Sequence, residues 1–393
     1  MLFKLNNVIQ PFAWGSKTML SQWAGIPNRD NQPQAELWMG VHPSGESRVA
    51  QTNERLSEVI ARDIPGALGD YTARHFGQLP FLFKVLAVDQ PLSIQVHPDL
   101  ASARAGYQQE SAMGLAQDAP ERHFHDPNHK PELVYALTPF SALNGFRTWE
   151  EIQLLLADFN LPFVSSLALA EHNEGCNRLE NLFKAVMALD SEQKQQVFLA
   201  LDAFLAKSGG SHLVEQAREF IKPLRQLHPD DIGVLAPLFL NIVFLEPGEA
   251  MFLYPRTLHA YVSGLALEVM ANSDNVLRAG LTPKYVDVSQ VVAHTDFHSS
   301  PAESLKLVAQ EQDGVRLFPV PVEDFRFAVI APSQDWRTRF LRGPEILLCL
   351  EGEVTIRHQN THISLSAGES LFVGNKTLTY DYQGNGTLAR AYN

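Results

Sequence analysis

The sequence predicts a mainly β protein that carries an all-helical insert, and three features lead to this fold class. Short apolar runs bounded by proline and polar residues occur before residue 148 and return after residue 227, as is typical of strands. Between these positions the apolar residues recur at helical spacing behind capping signals. The 393 residues also exceed the roughly 250 to 300 that one core supports, so several domains are expected.

Strand-like runs come first along the chain. Residues 80–86 and 91–97 are short apolar runs that each begin with a proline. Later, residues 239–245 and 250–254 flank the tight turn Pro247-Gly248-Glu249, which predicts a strand, a turn and a second strand.

The helical insert is expected between these two parts. Thr148 and Glu151 form a capping box ahead of an apolar run, and Asp190 with Gln193 repeats that pattern. A third segment, residues 213–224, keeps apolar side chains on one helical face.

The last quarter of the chain, from about residue 319, consists of short apolar segments separated by turn residues, which favours a sandwich or barrel. Its Ala367-Gly368-Glu369 turn is similar to Pro247-Gly248-Glu249. We therefore expect two related β units.

Composition excludes several function classes. The net charge of −13 argues against a general nucleic-acid binder, and no apolar stretch reaches the roughly 20 residues of a membrane span. Cys176 and Cys349 are too far apart in sequence to form a disulfide framework or a thiolate zinc cluster. A cytoplasmic protein without a membrane or nucleic-acid partner is expected.

A group of nitrogen and oxygen ligands is the first candidate site. Gln95 and His97 share one face of a strand, Glu132 opens another, and His259 follows the Pro-Gly-Glu turn by about ten residues. Such a mixed set suits zinc with an open position, as in catalytic sites. The alternative is that these residues are surface polar groups on an edge strand or in a solvated loop.

Cations form the second candidate site. Arg278 and Lys284 lie in a polar run, and together with Lys84 and Lys130 they could line one pocket for a phosphate. A solvated charged loop is the alternative. The usual glycine-rich phosphate loops and the Gly-x-Ser-x-Gly elbow are missing, which weakens the case for a kinase, a dinucleotide-dependent dehydrogenase or a serine hydrolase.

Six blocks of the sequence together resemble the type I phosphomannose isomerases of the cupin superfamily. They are residues 13–15, 35–40, 95–98, 128–132, 259–261 and 273–284. The resemblance implies two cupin (jelly-roll) β-barrels plus an inserted all-helical domain. It assigns residues 1–147 and 228–318 to a discontinuous catalytic cupin domain, 148–227 to the helical insert and 319–393 to a second cupin domain. The second domain has no comparable ligand set beside its turn, so we expect it to be metal-free.

The resemblance also implies a zinc-dependent aldose–ketose isomerase that interconverts mannose 6-phosphate and fructose 6-phosphate through an enediolate. One Zn²⁺ per chain would be bound by Gln95, His97, Glu132 and His259. The implied substrate-binding residues are Trp14, Lys84, Lys130, Tyr261, Arg278 and Lys284. The candidate catalytic residues are His129, Lys130, Glu268, Asp274 and Arg278. We further expect a monomer that acts on a sugar phosphate in mannose metabolism and GDP-mannose biosynthesis.

Two other functions are compatible with a cupin-like sequence. A metal-dependent oxygenase would use iron and two histidines with one carboxylate, and Gln95 and the lysines weigh against it. A non-catalytic sugar-binding cupin is the second, because a fold alone does not decide function.

Overall fold

The computed structural model describes residues 1–119, 121–159 and 177–393. Its strands, numbered in chain order, are β1 Leu2–Asn6, β2 Val8–Gln10, β3 Glu36–Met39, β4 Arg48–Val49, β5 Phe81–Val88, β6 Ile94–Val96, β7 Glu132–Ala136, β8 Phe140–Phe146, β9 Leu240–Leu245, β10 Ala250–Leu253, β11 His259–Ala271, β12 Leu277–Gly280, β13 Gln310–Gln312, β14 Val315–Phe318, β15 Arg326–Ile330, β16 Arg337–Phe340, β17 Glu345–Glu351, β18 Glu353–His358, β19 Thr361–Ser366, β20 Ser370–Val373, β21 Thr379–Gly384 and β22 Thr387–Tyr392.

The described α-helices are α1 Met19–Ala24, α2 Leu56–Ala61, α3 Ile64–His75, α4 Leu100–Ala112, α5 Trp149–Phe159, α6 Arg178–Met187, α7 Ser191–Ala206, α8 His212–Leu227 and α9 Val288–Ala293. Short 3₁₀ segments lie at Ile232–Leu238, Ala302–Leu305 and Asn375–Thr377. The prediction of a mainly β protein with a helical insert is confirmed.

Strand β11 organises the first barrel, which we define as the ten-stranded network around it. Its C-terminal half pairs with β5 and β7, and its N-terminal half pairs with β6 and β8. The strand changes partners at Gly264, where φ is 115° and an added Cβ would lie 2.5 Å from the Pro139 carbonyl oxygen. Only glycine fits this bend without strain. One strand thereby carries residues to both walls of the barrel.

The C-terminal barrel consists of two sheets that face each other. The eight-stranded sheet has the order β13-β14-β15-β22-β17-β20-β1-β4, and the four-stranded sheet has the order β16-β21-β18-β19. Leu347 and Leu388 of the first sheet pack against Val354 and Tyr380 of the second. Strands β1, β4, β13 and β14 pair within this barrel although they fall inside residues 1–147 and 228–318. The domain boundaries stay a prediction.

The two barrels share one apolar interface. Phe83 and Val269, on the outer face of the first barrel, belong to the same core as Phe327, Ile346 and Phe372 of the C-terminal barrel. Burial of this much aromatic and aliphatic surface is the main stabilising contribution to the contact between the barrels.

Two described helices of the insert, α5 and α7, begin where the capping signals predict, whereas α6 was not predicted. Thr148 Oγ1 accepts a hydrogen bond from the Glu151 backbone N–H over 3.3 Å, and Asp190 with Gln193 makes a complete capping box. Their apolar faces pack with β6 and β12 in a further core. The segment 160–176, which includes Cys176, lies outside the described residues. No described helix has the length and apolar character needed to cross a membrane.

Candidate metal centre and surrounding pocket

Three neighbouring strands place the first ligand candidates side by side. In the β12–β6–β11 ladder, Arg278 is the register partner of Gln95, and Gln95 is the register partner of His259. Residues directly opposite in adjacent strands share a face. The alternate face of β6 and β12, with Val96 and Leu277, packs into the core of the helical insert. Backbone register thus gathers an amide, an imidazole and a guanidinium on one wall.

Glu132 completes the centre from the adjoining strand β7. Its Oε1 lies 3.3 Å from His97 Nε2, and its Oε2 lies 3.5 Å from His259 Nε2. The three side chains are at most 2% exposed, and their candidate ligand atoms lie within 4.8 Å of one another.

The hydrogen bonds of both histidines fix which ring nitrogen faces the centre. His97 Nδ1 lies 2.7 Å from the Asn275 carbonyl oxygen, and His259 Nδ1 lies 2.9 Å from the Thr257 carbonyl oxygen. A carbonyl oxygen only accepts, so each Nδ1 carries a proton, and in the neutral ring each Nε2 presents a lone pair. Within the described part of the chain, neither buried Nε2 has a hydrogen-bond partner. Two ring nitrogens and a carboxylate that converge on one point could hold a metal ion.

The protonation states also fit metal binding. Burial, followed by the Lys130 charge, lowers the pKa of His97 to about 4. Burial alone would raise the pKa of Glu132, but Lys130 and His97 outweigh it and hold that pKa well below its ordinary value. Neutral imidazoles and an ionised carboxylate are the forms that bind zinc.

Asn275 holds this arrangement together and was missed as a site residue by sequence reasoning. It is fully buried, and its carbonyl oxygen orients His97. Its side chain accepts from the His125 backbone N–H over 2.7 Å and donates to the carbonyl oxygens of Asp126 and Asn128 over 2.8 and 2.9 Å. The loop that leads to Glu132 is thereby fixed to the segment after β11.

A buried ion cluster lies beside the centre. Lys84 Nζ is 2.8 Å from Glu268 Oε2 and 3.3 Å from Glu36 Oε2, and Trp38 Nε1 donates to Glu36 Oε2 over 2.5 Å. Burial lowers the pKa of Lys84, but Glu268 and Glu36 together raise it above its ordinary value, so this lysine is a cation. Glu36 and Trp38 were not predicted as site residues, although they lie in the block 35–40.

Two predicted substrate-binding residues contact Glu132 directly. Lys130 Nζ lies 3.3 Å from Glu132 Oε1, and the Tyr261 hydroxyl donates to Glu132 Oε2 over 2.6 Å. Each buried carboxylate oxygen therefore has one donor in addition to the histidine that it faces.

Arg278 and Lys284 extend the site toward solvent. Arg278 lines a cavity of about 230 Å³ with His123, Tyr285 and Asp287. The pKa of Lys284 is lowered first by the Arg278 charge and then by burial, which indicates that the two cations lie close together.

Three predicted site residues make contacts outside the group of His97, Glu132 and His259. Asp274 is exposed and lies 3.3 Å from His42 Nε2, while His129 Nε2 lies 2.9 Å from Asp324 Oδ2. Trp14 stacks on Phe12 with 6.0 Å between ring centroids. None of these contacts involves His97, Glu132 or His259, so the roles of the three residues stay predictions.

The comparable turn of the C-terminal barrel has a different environment. Glu369 accepts from the Ser366 backbone N–H over 2.9 Å and pairs with Lys4 over 2.6 Å. Over the described ranges, one group of three side chains has metal-ligand spacing, and it is His97, Glu132 and His259. The metal-free state of the C-terminal barrel stays a prediction.

Comparison with protein families gives three matches along the chain. Residues 2–149 match the catalytic domain of phosphomannose isomerase type I, residues 162–240 match its helical insertion domain, and residues 315–393 match the mannose-6-phosphate isomerase cupin domain. These matches confirm the cupin part of the fold prediction.

Individual relatives agree with these matches over the whole chain. The chain is 44% identical to a mannose-6-phosphate isomerase of Salmonella typhimurium, with 99% of each sequence covered. It is 34% identical to a human mannose-6-phosphate isomerase, with 95% of this chain and 93% of the relative covered. A crystal structure of the Salmonella typhimurium enzyme bound to its substrate and zinc superposes with a TM-score of 0.93 at 43% identity, covering 100% of this chain and 99% of that one.

Proposed function

The chain belongs to the type I phosphomannose isomerase family, and from this premise we infer that it is a zinc-dependent isomerase. It interconverts D-mannose 6-phosphate and D-fructose 6-phosphate. The observation that carries this function is the convergence of two buried, unpartnered histidine Nε2 atoms and the Glu132 carboxylate within the described residues, beside a group of cations.

One zinc ion per chain would be held by His97, Glu132 and His259, with Gln95 as a fourth ligand from the same wall. Bound zinc polarises sugar oxygens and orients the open-chain substrate. The carbonyl oxygens of Asn275 and Thr257 support this role because they fix the ring orientation of the two histidines.

The cations would bind the phosphate group and stabilise the enediolate. Arg278 and Lys284 lie close together, and burial lowers the pKa of Arg278, so a phosphate dianion there would relieve both charge repulsion and desolvation. Lys130 lies at the metal centre itself and would stabilise negative charge on the substrate oxygens. Trp14 and Tyr261 are also proposed to bind substrate, with Tyr261 acting through Glu132.

Isomerisation requires a base that takes the proton from C2 of the aldose and returns a proton to C1, while the hydroxyl proton moves from O2 to O1. The candidates are Glu268 and Asp274. Burial raises the pKa of Glu268 against the opposing charge of Lys84, whereas the His42 contact and nearby cations lower the pKa of Asp274 despite its desolvation. The higher pKa makes Glu268 the better base, and Lys84 would keep it ionised and in place.

Opening of the sugar ring is the role proposed for His129. Its Nε2 lies 2.9 Å from Asp324 Oδ2, and this contact would fix the orientation of the ring. A histidine oriented by a carboxylate is suited to general acid–base proton transfer.

We further propose that the catalytic unit comprises residues 1–147 and 228–318, with the insert at 148–227 and the second cupin domain at 319–393. The enzyme is proposed to act as a monomer in the cytoplasm, in mannose metabolism and GDP-mannose biosynthesis. Size-exclusion chromatography with light scattering tests the monomer, and a mass of twice 43.8 kDa would contradict it.

The function is tested by following conversion of mannose 6-phosphate to fructose 6-phosphate in three samples of the same protein: as purified, after chelation, and after zinc is restored. We expect turnover in the first, loss in the second and recovery in the third. Absence of turnover in protein that contains one zinc per chain would contradict the isomerase function and favour a sugar-binding protein.

A separate experiment assigns the base. Glu268→Gln and Asp274→Asn are compared for release of tritium from C2 of the substrate into water. Loss of this exchange in Glu268→Gln with its retention in Asp274→Asn supports the assignment, and the reverse pattern transfers the role to Asp274.

A further inference from the structure

The C-terminal barrel contains a cavity for which the isomerase reaction has no use. Its volume is about 690 Å³, and its lining comes from β13, β14, β15, β16, β21 and β22. This volume lies in the range of roughly 300 to 1,000 Å³ that is usual for small-molecule pockets.

Strand register places two arginines on the inner face of the four-stranded sheet. Arg337 is opposite Tyr382, and Arg339 is opposite Tyr380, while the intervening Thr338 is opposite Asp381. Tyr380 and Tyr382 belong to the apolar core of the barrel, so Arg337 and Arg339 lie on the same inner side. A strand that only completes an apolar core would carry apolar side chains at these two positions.

A third arginine reaches the cavity from the opposite sheet. Arg390 is 6% exposed, its Nη2 donates to Glu345 Oε1, and its guanidinium carbon lies 3.5 Å from the centroid of the Tyr392 ring. The register partner of Arg390 on β15 is Ala328, whose single methyl group leaves space above the guanidinium.

Two of the arginines that line the cavity each have a donor atom that the described residues leave unpaired. The Nε atoms of Arg339 and Arg390 are buried and have no hydrogen-bond partner among the residues that the structure describes. An unmatched guanidinium N–H in a buried position costs about 1 to 3 kcal/mol unless a ligand or water accepts it.

The charge balance of the cavity favours an anion. Among the described residues, three guanidinium groups, those of Arg337, Arg339 and Arg390, line the cavity with one carboxylate, that of Asp313. The carboxylate of Glu345 is already bonded to Arg390 and Tyr380. The whole chain has a net charge of −13, so this local excess of positive charge stands against the overall composition.

We propose that this cavity is a second ligand site, which binds a small polar molecule through a phosphate or carboxylate group. Arg339 and Arg390 hold the anionic group, Arg337 closes the exposed side, and Tyr382 and Tyr392 contact the body of the ligand. Planar guanidinium groups bind such anions through two parallel hydrogen bonds, which supports this division. The site is separate from the metal centre and does not depend on the isomerase function.

The test uses calorimetric titration of zinc-loaded protein with two probes, inorganic phosphate and gluconate, which distinguish a phosphate ligand from a carboxylate ligand. An Arg278→Gln background weakens phosphate binding near the metal centre, so that the binding lost in Arg339→Gln reports on the cavity. In that background we expect one of the two probes to bind, and Arg339→Gln to weaken its binding about tenfold or more. The matched control is Arg357→Gln, because Arg357 lies on the outer face of the same sheet, paired with Asp381.

Equal binding in the Arg339→Gln and Arg357→Gln proteins, or no binding of either probe, overturns the proposal. Arg337→Gln changes an exposed residue and serves as the second variant if Arg339→Gln does not fold, as judged by thermal unfolding. With Arg278 intact, Arg339→Gln should change mannose 6-phosphate turnover by no more than about twofold. A larger loss in folded protein would show that the cavity is not separate from the active site.

Discussion

The two barrels each bury a glutamate that accepts a hydrogen bond from a tyrosine, yet the remaining partners of the two carboxylates differ. Glu132 accepts from Tyr261 over 2.6 Å and faces two histidine Nε2 atoms and Lys130. Glu345 accepts from Tyr380 over 3.0 Å and is bonded to the Arg390 guanidinium.

This difference separates a functional site from a structural one. Arg390 neutralises Glu345 within the protein, so this carboxylate needs no added cation. Glu132 instead faces two histidine Nε2 atoms that have no hydrogen-bond partner among the described residues. A metal ion bound between the carboxylate and these two nitrogens would satisfy all three groups. We therefore expect the same buried residue type to serve chemistry in one barrel and stability in the other.

The largest expected contrast is between Glu132→Gln and Glu345→Gln. Loss of a metal ligand removes several kcal/mol of transition-state stabilisation, so Glu132→Gln should lower turnover about a thousandfold and reduce the zinc content. Glu345→Gln should keep full zinc content and near-normal turnover per folded molecule. Steady-state kinetics and elemental analysis of both proteins measure this, and equal activity losses at equal zinc content would remove the distinction between the barrels.

The free energy of unfolding should distinguish the buried pair of Glu345 and Arg390 from a surface pair. Glu345→Gln leaves Arg390 buried without its charge partner, which costs about 3 to 5 kcal/mol of the free energy of unfolding. The surface pair of Arg357 and Asp381 offers a matched control, because Asp381→Asn should cost only about 0 to 1 kcal/mol. Urea unfolding of the two variants measures the difference. Similar costs would mean that Glu345 and Arg390 are not a stabilising pair.

The two tyrosines permit a finer comparison. Tyr261→Phe and Tyr380→Phe each remove one hydrogen bond to a buried carboxylate, worth about 1.5 to 3 kcal/mol. Zinc affinity should fall about 10- to 100-fold in Tyr261→Phe alone, since its hydroxyl supports a metal ligand. Competition with a fluorescent chelator measures affinity. An equal loss in Tyr380→Phe would contradict the assignment of the metal to the first barrel.

The smallest effect concerns Cys349, which is buried inside the C-terminal barrel. Burial raises the pKa of its thiol to about 11, whereas an unfolded cysteine titrates near about 8.5. The unfolded state loses its proton first, so the free energy of unfolding falls as pH rises between these values. From about pH 8 to about pH 9.5, we expect the wild type to lose up to about 1 kcal/mol more than Cys349→Ser. Parallel pH profiles would contradict a closed barrel interior at this position.

Local signals in the sequence predicted what depends on neighbouring residues. The capping boxes at Thr148 and Asp190 need only residues three positions apart, and both were confirmed. The contacts of Asn275 with residues 125–128 and of His129 with Asp324 join segments about 150 and 195 positions apart. No local pattern contains that information.

The same reason explains what was missed in the fold. Strand β1 pairs with β20, so residues at opposite ends of the chain share a sheet. A jelly-roll brings strands together by topology, and periodicity along one strand does not identify its partner. The four ligand candidates were predicted because their side chains are typical metal ligands at strand positions. Glu36, Trp38 and Asn275 have no such local signal, and their roles emerge from the contacts around the centre.

Anomalous diffraction at the zinc absorption edge, from crystals of the zinc-loaded protein, tests the central contrast most directly. The account predicts one peak per chain, at roughly 2.0 to 2.2 Å from His97 Nε2, His259 Nε2 and a Glu132 oxygen. It predicts no peak beside Glu345. A strong peak in the C-terminal barrel, or an empty position between His97 and His259 in zinc-loaded active protein, would contradict the account.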